Sequence, residues 1–128
     1  IKLFHETAGS RLTEGLIELN IIEGPLELAL EDKRYLHYYM HGNGHFLGLD
    51  VHDVGAYEHE GQPVELAEGM VITCEPGLYI SQSSDAPARY RGIGIRIEDD
   101  VLITGRGPEV LTAKVPKERA EIEALMRG

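Results

Sequence analysis

GIGIRIEDDVLIT, residues 92–104, is the stretch whose pattern decides the fold class. Ile93, Ile95 and Ile97 alternate with small or charged residues, and Val101 and Ile103 resume the apolar series after an acidic interruption at Glu98–Asp100. A period of two means an extended strand with one apolar face. The interruption predicts a bulge, a device often found beside active sites. Arg96 and Glu98 lie two residues apart and share a strand face.

The neighbouring segments extend the sheet. MVITCE (70–75) ends at Pro76-Gly77, and Leu78–Ile80 continues as extended chain. Residues 81–91 (SQSSDAPARYR) read as a loop, and the strand-and-turn character begins at the aromatic-rich Tyr35–Met40. Before it, Phe4, Ala8, Leu12, Leu16 and Leu19 fall at three- and four-residue spacings, which predicts a helix over 1–22. Gly24-Pro25 breaks that pattern, and Leu26–Glu31 reads as a short second helix. Pro116 opens a last helix with Ile122, Leu125 and Met126 on one face. Helix, mostly antiparallel sheet, then helix is an α+β arrangement.

Composition removes several function classes. The 128 residues form one domain's worth of chain with a formal net charge of −10. Nucleic acid is not expected as a partner, because its phosphates demand clustered Lys and Arg. No apolar run approaches the roughly 18–20 residues of a membrane span, so no membrane partner is expected. The one cysteine, Cys74, excludes an internal disulfide framework and fits a reducing cytoplasm. It sits in an apolar strand, where an inert core thiol is the ordinary role.

The chemistry-bearing residues gather in three segments: HGNGHFLGLDVHDVG (41–55), TCEPGLYI (73–80) and RGIGIRIEDDVLIT (91–104). His45, Glu75 and Glu98 stand out as candidate metal ligands. One imidazole and two carboxylates suit Mn²⁺, Co²⁺ or Zn²⁺. His41 and His45 are four apart, as in helical HExxH sites, but Gly42 and Gly44 argue against a helix and position 42 is not Glu. Each of these residues also has an ordinary structural reading. A histidine can be a packed core residue, Glu75 a rim carboxylate, and Arg96 with Glu98 a buried pair or a group orienting a ligand. No GxSxG nucleophile elbow occurs, and neither GNGH nor RGIGIR has the spacing of a phosphate loop.

Taken together, HGNGHFLGLDVHDVG, GMVITCEPGLYI, YRGIGIRIEDDVLIT and LTAKVPKERAEIEALM resemble, in order, the C-terminal half of the pita-bread metallopeptidases. Within them the chain is most similar to the Xaa-Pro aminopeptidases. The likeness runs from about Tyr38 to the end, and residues 1–37 match only as a helical pattern. The resemblance implies a duplicated α+β sheet covered by helices, with the active site on its concave face. It also implies two divalent ions, usually Mn²⁺ with Zn²⁺ or Co²⁺ as substitutes, held by two Asp, one His and two Glu. His45 matches the His ligand, Glu75 a Glu ligand that also shuttles protons, and Glu98 the bridging carboxylate. His41 and His52 match histidines that line the proline side of the cleft and bond the substrate. Arg96 and Tyr79 match supporting positions near the metals.

The implied substrates are peptides with Pro at position two. Prolidase-like dipeptide specificity, or a non-catalytic module that binds peptides or partner proteins, are the alternatives. Before His45 the only Asp is Asp32, in a charged turn that does not fit the paired Asp ligands. Residues 1–128 are therefore expected to be a partial catalytic domain, without the Asp-bearing half and the N-terminal domain. Such a chain is expected to be inactive alone and to form homo-oligomers through its uncovered sheet edge and apolar helix face.

Overall fold

A computed structural model describes residues 1–128. Helix α1 (Lys2–Glu18) is followed by α2 (Leu26–Glu31), and α3 (Arg119–Arg127) closes the chain. Seven strands lie between: β1 (Glu58–His59), β2 (Gln62–Pro63), β3 (Val71–Cys74), β4 (Gly77–Tyr79), β5 (Gly94–Arg96), β6 (Asp99–Thr104) and β7 (Gly107–Val110). All pairings are antiparallel, so the expected α+β class holds.

Register explains how the sheet is built. β3 pairs with β6 through Val71–Leu102 to Cys74–Asp99, and β4 pairs with β5 through Gly77–Arg96 to Tyr79–Gly94. Paired residue numbers add to the same constant, 173, in both ladders. No residue is inserted between them, so the bulge expected at Glu98–Asp100 is absent. The ladder is interrupted instead by Pro76. Its carbonyl accepts the Ile97 N–H (3.4 Å), but its ring nitrogen has no hydrogen to return. The same register sets Glu75 directly across from Glu98.

On the other side of β3, the segment 43–47 runs as a further antiparallel line. Phe46 bridges Ile72, while Leu47 N–H, Thr73 N–H and Glu75 N–H donate to Val71, His45 and Asn43 carbonyls. Gly44 makes this approach possible, because a Cβ there would stand 1.9 Å from the Thr73 carbonyl oxygen.

Side-chain alternation then separates two faces. Asn43, His45, Thr73, Glu75, Tyr79, Arg96 and Glu98 share one. Ile72, Leu78, Ile95, Ile97, Val101 and Ile103 share the other. Helices α1 and α2 lie over the apolar face, where Leu16 and Ala29 pack with Leu78, Leu12 and Leu19 line a groove with Leu78, Ile93, Ile95 and Ile97, and Phe4 approaches Ile72 and Val101. The polar face is left open on the opposite side.

Helix α1 buries Gly9, Thr13 and Leu16 rather than one stripe of large residues. Leu16 forms a small core with Ile22 and Ala29, joined by Tyr35 and Tyr38. Thr13 satisfies its buried hydroxyl on the Gly9 carbonyl (2.7 Å). Tyr35–Met40 is not a strand. Lys33 takes a left-handed conformation (φ 53°), a 3-10 turn follows over Arg34–His37, and Tyr39 is buried beside Tyr35. The apolar face of α3 exists, but it covers nothing in this chain, and Leu125 and Met126 are exposed.

Candidate metal centre

Three elements meet on the polar face. The line 43–47 brings His45, the end of β3 brings Glu75, and the link between β5 and β6 brings Glu98. One donor atom from each lies within 4.8 Å of the others. Glu75 and Glu98 meet because Glu75 aims its N–H at the Asn43 carbonyl, which leaves the pair at a non-hydrogen-bonded position of the ladder. Opposite side chains approach most closely at such positions, and like charges there repel. Glu75 is buried, and Glu98 is exposed to solvent on the open face rather than turned into a core.

Hydrogen bonds define which atoms remain free. His45 Nδ1 lies 3.0 Å from the Phe46 carbonyl, which can only accept, so Nδ1 carries the hydrogen. With Nδ1 so engaged, Nε2 is the nitrogen that faces the site, 3.3 Å from Glu75 Oε1. Nε2 and a carboxylate oxygen from each of Glu75 and Glu98 converge on one point, a donor set that can hold a cation. A ligating histidine held by its other N–H on a backbone carbonyl is the ordinary arrangement at metal sites. The donor set therefore fits a divalent ion on the geometry of these three residues.

The supporting residues also converge. Thr73, which the sequence reading did not single out, donates its hydroxyl to Glu75 Oε1 (3.2 Å) and accepts the His45 N–H (3.0 Å). Its signal was its place two residues before Glu75, hence on the same face. Arg96 Nη1 lies 3.4 Å from Glu75 Oε2, and its Nε donates to Tyr79 Oη at 2.7 Å. Tyr79 must then donate onward to His41 Nε2 (3.0 Å), while His41 Nδ1 donates to the Gly42 carbonyl (2.7 Å). Tyr79, with Glu75 and Glu98 nearby, pushes the Arg96 guanidinium above its already high range. His52 sets its ring edge against His45, centroid to centroid 4.4 Å, with no hydrogen bond of its own. All seven residues singled out from the sequence thus lie in one connected constellation.

Two further groups bear on the site from behind. Tyr39 hydrogen-bonds Asn43, and burial together with the Glu75 charge pushes its phenol up to about 12. Cys74 points to the apolar face, where burial first, then Asp99 and Glu75, raises its thiol. That keeps it protonated and inert.

Comparison with known proteins gives the family. The profile of metallopeptidase family M24 matches residues 6–105. The chain belongs to metallopeptidase family M24. The Xaa-Pro aminopeptidase of Haemophilus influenzae is 54% identical over 114 residues, which is 89% of this chain and 26% of that protein. The structure of Pseudomonas aeruginosa aminopeptidase PepP superposes with a TM-score of 0.92 at 48% identity, covering 96% of this chain and 28% of that one. A zinc-substituted Escherichia coli aminopeptidase P in complex with product superposes at 0.86 and 47% identity, again over 96% of this chain and 28% of that one. The chain spans about a quarter of the length of the relatives it matches. Over that part its α+β fold is the pita-bread fold of the aminopeptidase P structures. M24 membership makes divalent metal the expected occupant of the donor set. No helix is long and apolar enough to cross a membrane.

Proposed function

We propose that residues 1–128 supply the His–Glu–Glu share of a dinuclear-metal Xaa-Pro aminopeptidase, which removes the first residue from peptides with proline second. The observation that carries this reading is the meeting of His45, Glu75 and Glu98 on an open polar face, with His45 Nε2 turned toward a carboxylate. The names borne by the M24 relatives support the substrate class. Three donors are too few for two ions, so further carboxylates come from another part of the catalytic domain, of which residues 1–128 are one portion.

His45 Nε2, Glu75 and Glu98 would hold the metal, Mn²⁺ by preference, with Zn²⁺ or Co²⁺ able to replace it. Bound divalent ions supply Lewis-acid polarisation of a carbonyl and acidification of a water. The chain's own residues do the rest. Glu75 accepts the proton released from the attacking water and returns it to the leaving proline nitrogen. Thr73 and Arg96 hold its two oxygens in place. A proline amide has no N–H, so recognition rests on ring shape and on donors to the neighbouring carbonyl. Both His41 nitrogens are engaged, which makes His41 a wall of the cleft and leaves His52 as the free donor. Tyr79 and Arg96 tie that wall to Glu75. The exposed Ile95 and the uncovered face of α3 favour a homo-oligomer, and the unpaired Cys74 favours the cytoplasm.

The test is hydrolysis of Xaa-Pro-Xaa tripeptides by the complete protein carrying these residues, with Mn²⁺ and against EDTA. Xaa-Pro dipeptides and proline-free tripeptides serve as controls. Metal-dependent release of the first residue from proline tripeptides is expected. Turnover of dipeptides alone would reassign the protein as a prolidase, and binding without turnover as a peptide-binding module.

A further inference from the structure

The loop that leaves the sheet after Phe46 packs apolar groups only at its base, where Leu47 is half-buried and Gly55 abuts the Phe46 ring. Leu49, Val51 and Val54 are 103%, 69% and 91% exposed, so burial does not hold the span between. Yet it returns with His52 set against His45 at 4.4 Å. What holds it is Asp53. One carboxylate oxygen, Oδ2, accepts the Leu49 N–H (3.0 Å), and the other, Oδ1, accepts the Val54 N–H (2.8 Å). The Asp53 N–H donates to the Phe46 carbonyl (3.0 Å), the same oxygen that takes His45 Nδ1–H. A carbonyl has two lone pairs, and here they join the ring of the candidate ligand to the base of the loop. Both Asp53 oxygens are committed to backbone donors and lie outside the cluster of His45, Glu75 and Glu98, so Asp53 is not a ligand.

Gly48 is part of the same device. A Cβ there would stand 1.7 Å from Asp53 Oδ2. Only glycine lets the carboxylate reach across the loop to Leu49.

We infer that Asp53 is a positioning residue: its carboxylate clamps the loop of residues 47–54 and thereby holds His52 against His45. The inference rests on the proposed role of His52 as a donor to substrate. Charge-assisted bonds from a carboxylate to backbone N–H groups are among the stronger kinds. A clamp of this sort is needed where a side chain without bonds of its own must keep a defined place, because misplacement by about 1 Å can cost on the order of 10²-fold in rate.

The experiment uses the complete protein with Asp53→Ala, Gly48→Ala and His52→Ala. Gly48→Ala keeps the carboxylate but swings it away, and the displaced atom is the end of a side chain, so the fold survives even if Asp53→Ala does not. Both variants are expected to lower kcat/KM for a proline tripeptide on the order of 10²-fold, with bound metal unchanged. Combining either with His52→Ala should cost nothing beyond His52→Ala alone. Additive losses, or loss of metal, would overturn the assignment. If the wild-type protein hydrolyses no Xaa-Pro peptide, the functional reading fails separately, and crystal structures of the two variants decide. His52 leaving its 4.4 Å contact supports the clamp, and His52 staying there refutes it.

Discussion

Glu98→Gln is expected to stabilise the protein while weakening its hold on metal. Glu75 and Glu98 face each other across the ladder, with donor atoms no more than 4.8 Å apart. Two unit charges at about 4.8 Å repel by roughly 0.9 kcal/mol in water and about 3.5 kcal/mol at an effective dielectric constant near 20. Glu98 is exposed and also attracts Arg96, which offsets part of the repulsion, so the lower end is a ceiling and no more than about 1 kcal/mol is released by neutralising Glu98. That corresponds to at most a few degrees in melting temperature. The assay is thermal unfolding of wild type and variant, in EDTA and with Mn²⁺ added. In EDTA the variant should melt higher, and about 1 M salt should erase the difference because screening is then effective beyond about 3 Å. With Mn²⁺ the order should reverse, since only wild type offers two carboxylates to the ion. A variant that melts lower in EDTA, or gains as much from metal as wild type, would refute the reasoning.

Three further outcomes follow from the packing. Gly44→Ala should destabilise by about 1–3 kcal/mol through overpacking, because the clash is with the Thr73 backbone oxygen, and hydrogen exchange at Thr73 and Glu75 should quicken if this is right. Leu16→Ala removes a fully buried side chain from a small core and should cost about 2–5 kcal/mol in denaturant unfolding. His5 is lowered by burial first and by the nearby N-terminal charge, and its Nδ1 accepts the Asn43 N–H (3.3 Å), which requires the unprotonated ring. A lowered folded-state value means that this contribution is fully present above the ordinary histidine value of 6.5 and is lost as pH falls below it. His5→Gln should flatten stability over that range, as unfolding midpoints from pH 7 to 5 would reveal.

Residues 92–104 made the strands legible because a two-residue period survives in any sequence that buries one face of a sheet. The short second helix was equally plain, and it spans Leu26–Glu31 as read. Tyr35–Met40 misled because aromatic residues favour strands only when a pleated neighbour is present, and here Lys33 turns the chain into a 3-10 turn first. The acidic interruption was visible, but its nature was not. A bulge and a proline gap look alike in one strand, and only the partner strand, with Pro76 opposite Ile97, distinguishes them.

By itself, the sequence determined the residue types: a histidine among glycines, a glutamate closing an apolar strand, and an arginine and a glutamate two apart. Those choices follow from ligand chemistry and strand periodicity, which are local. Only the tertiary structure decided that they meet. His45, Glu75 and Glu98 come from three separate lines of chain, and a shared register set their spacing. Asp53 was invisible as a functional residue for the same reason, because a hydrogen-bond partner across a loop leaves no mark in the order of residues, and Thr73 showed only its strand face.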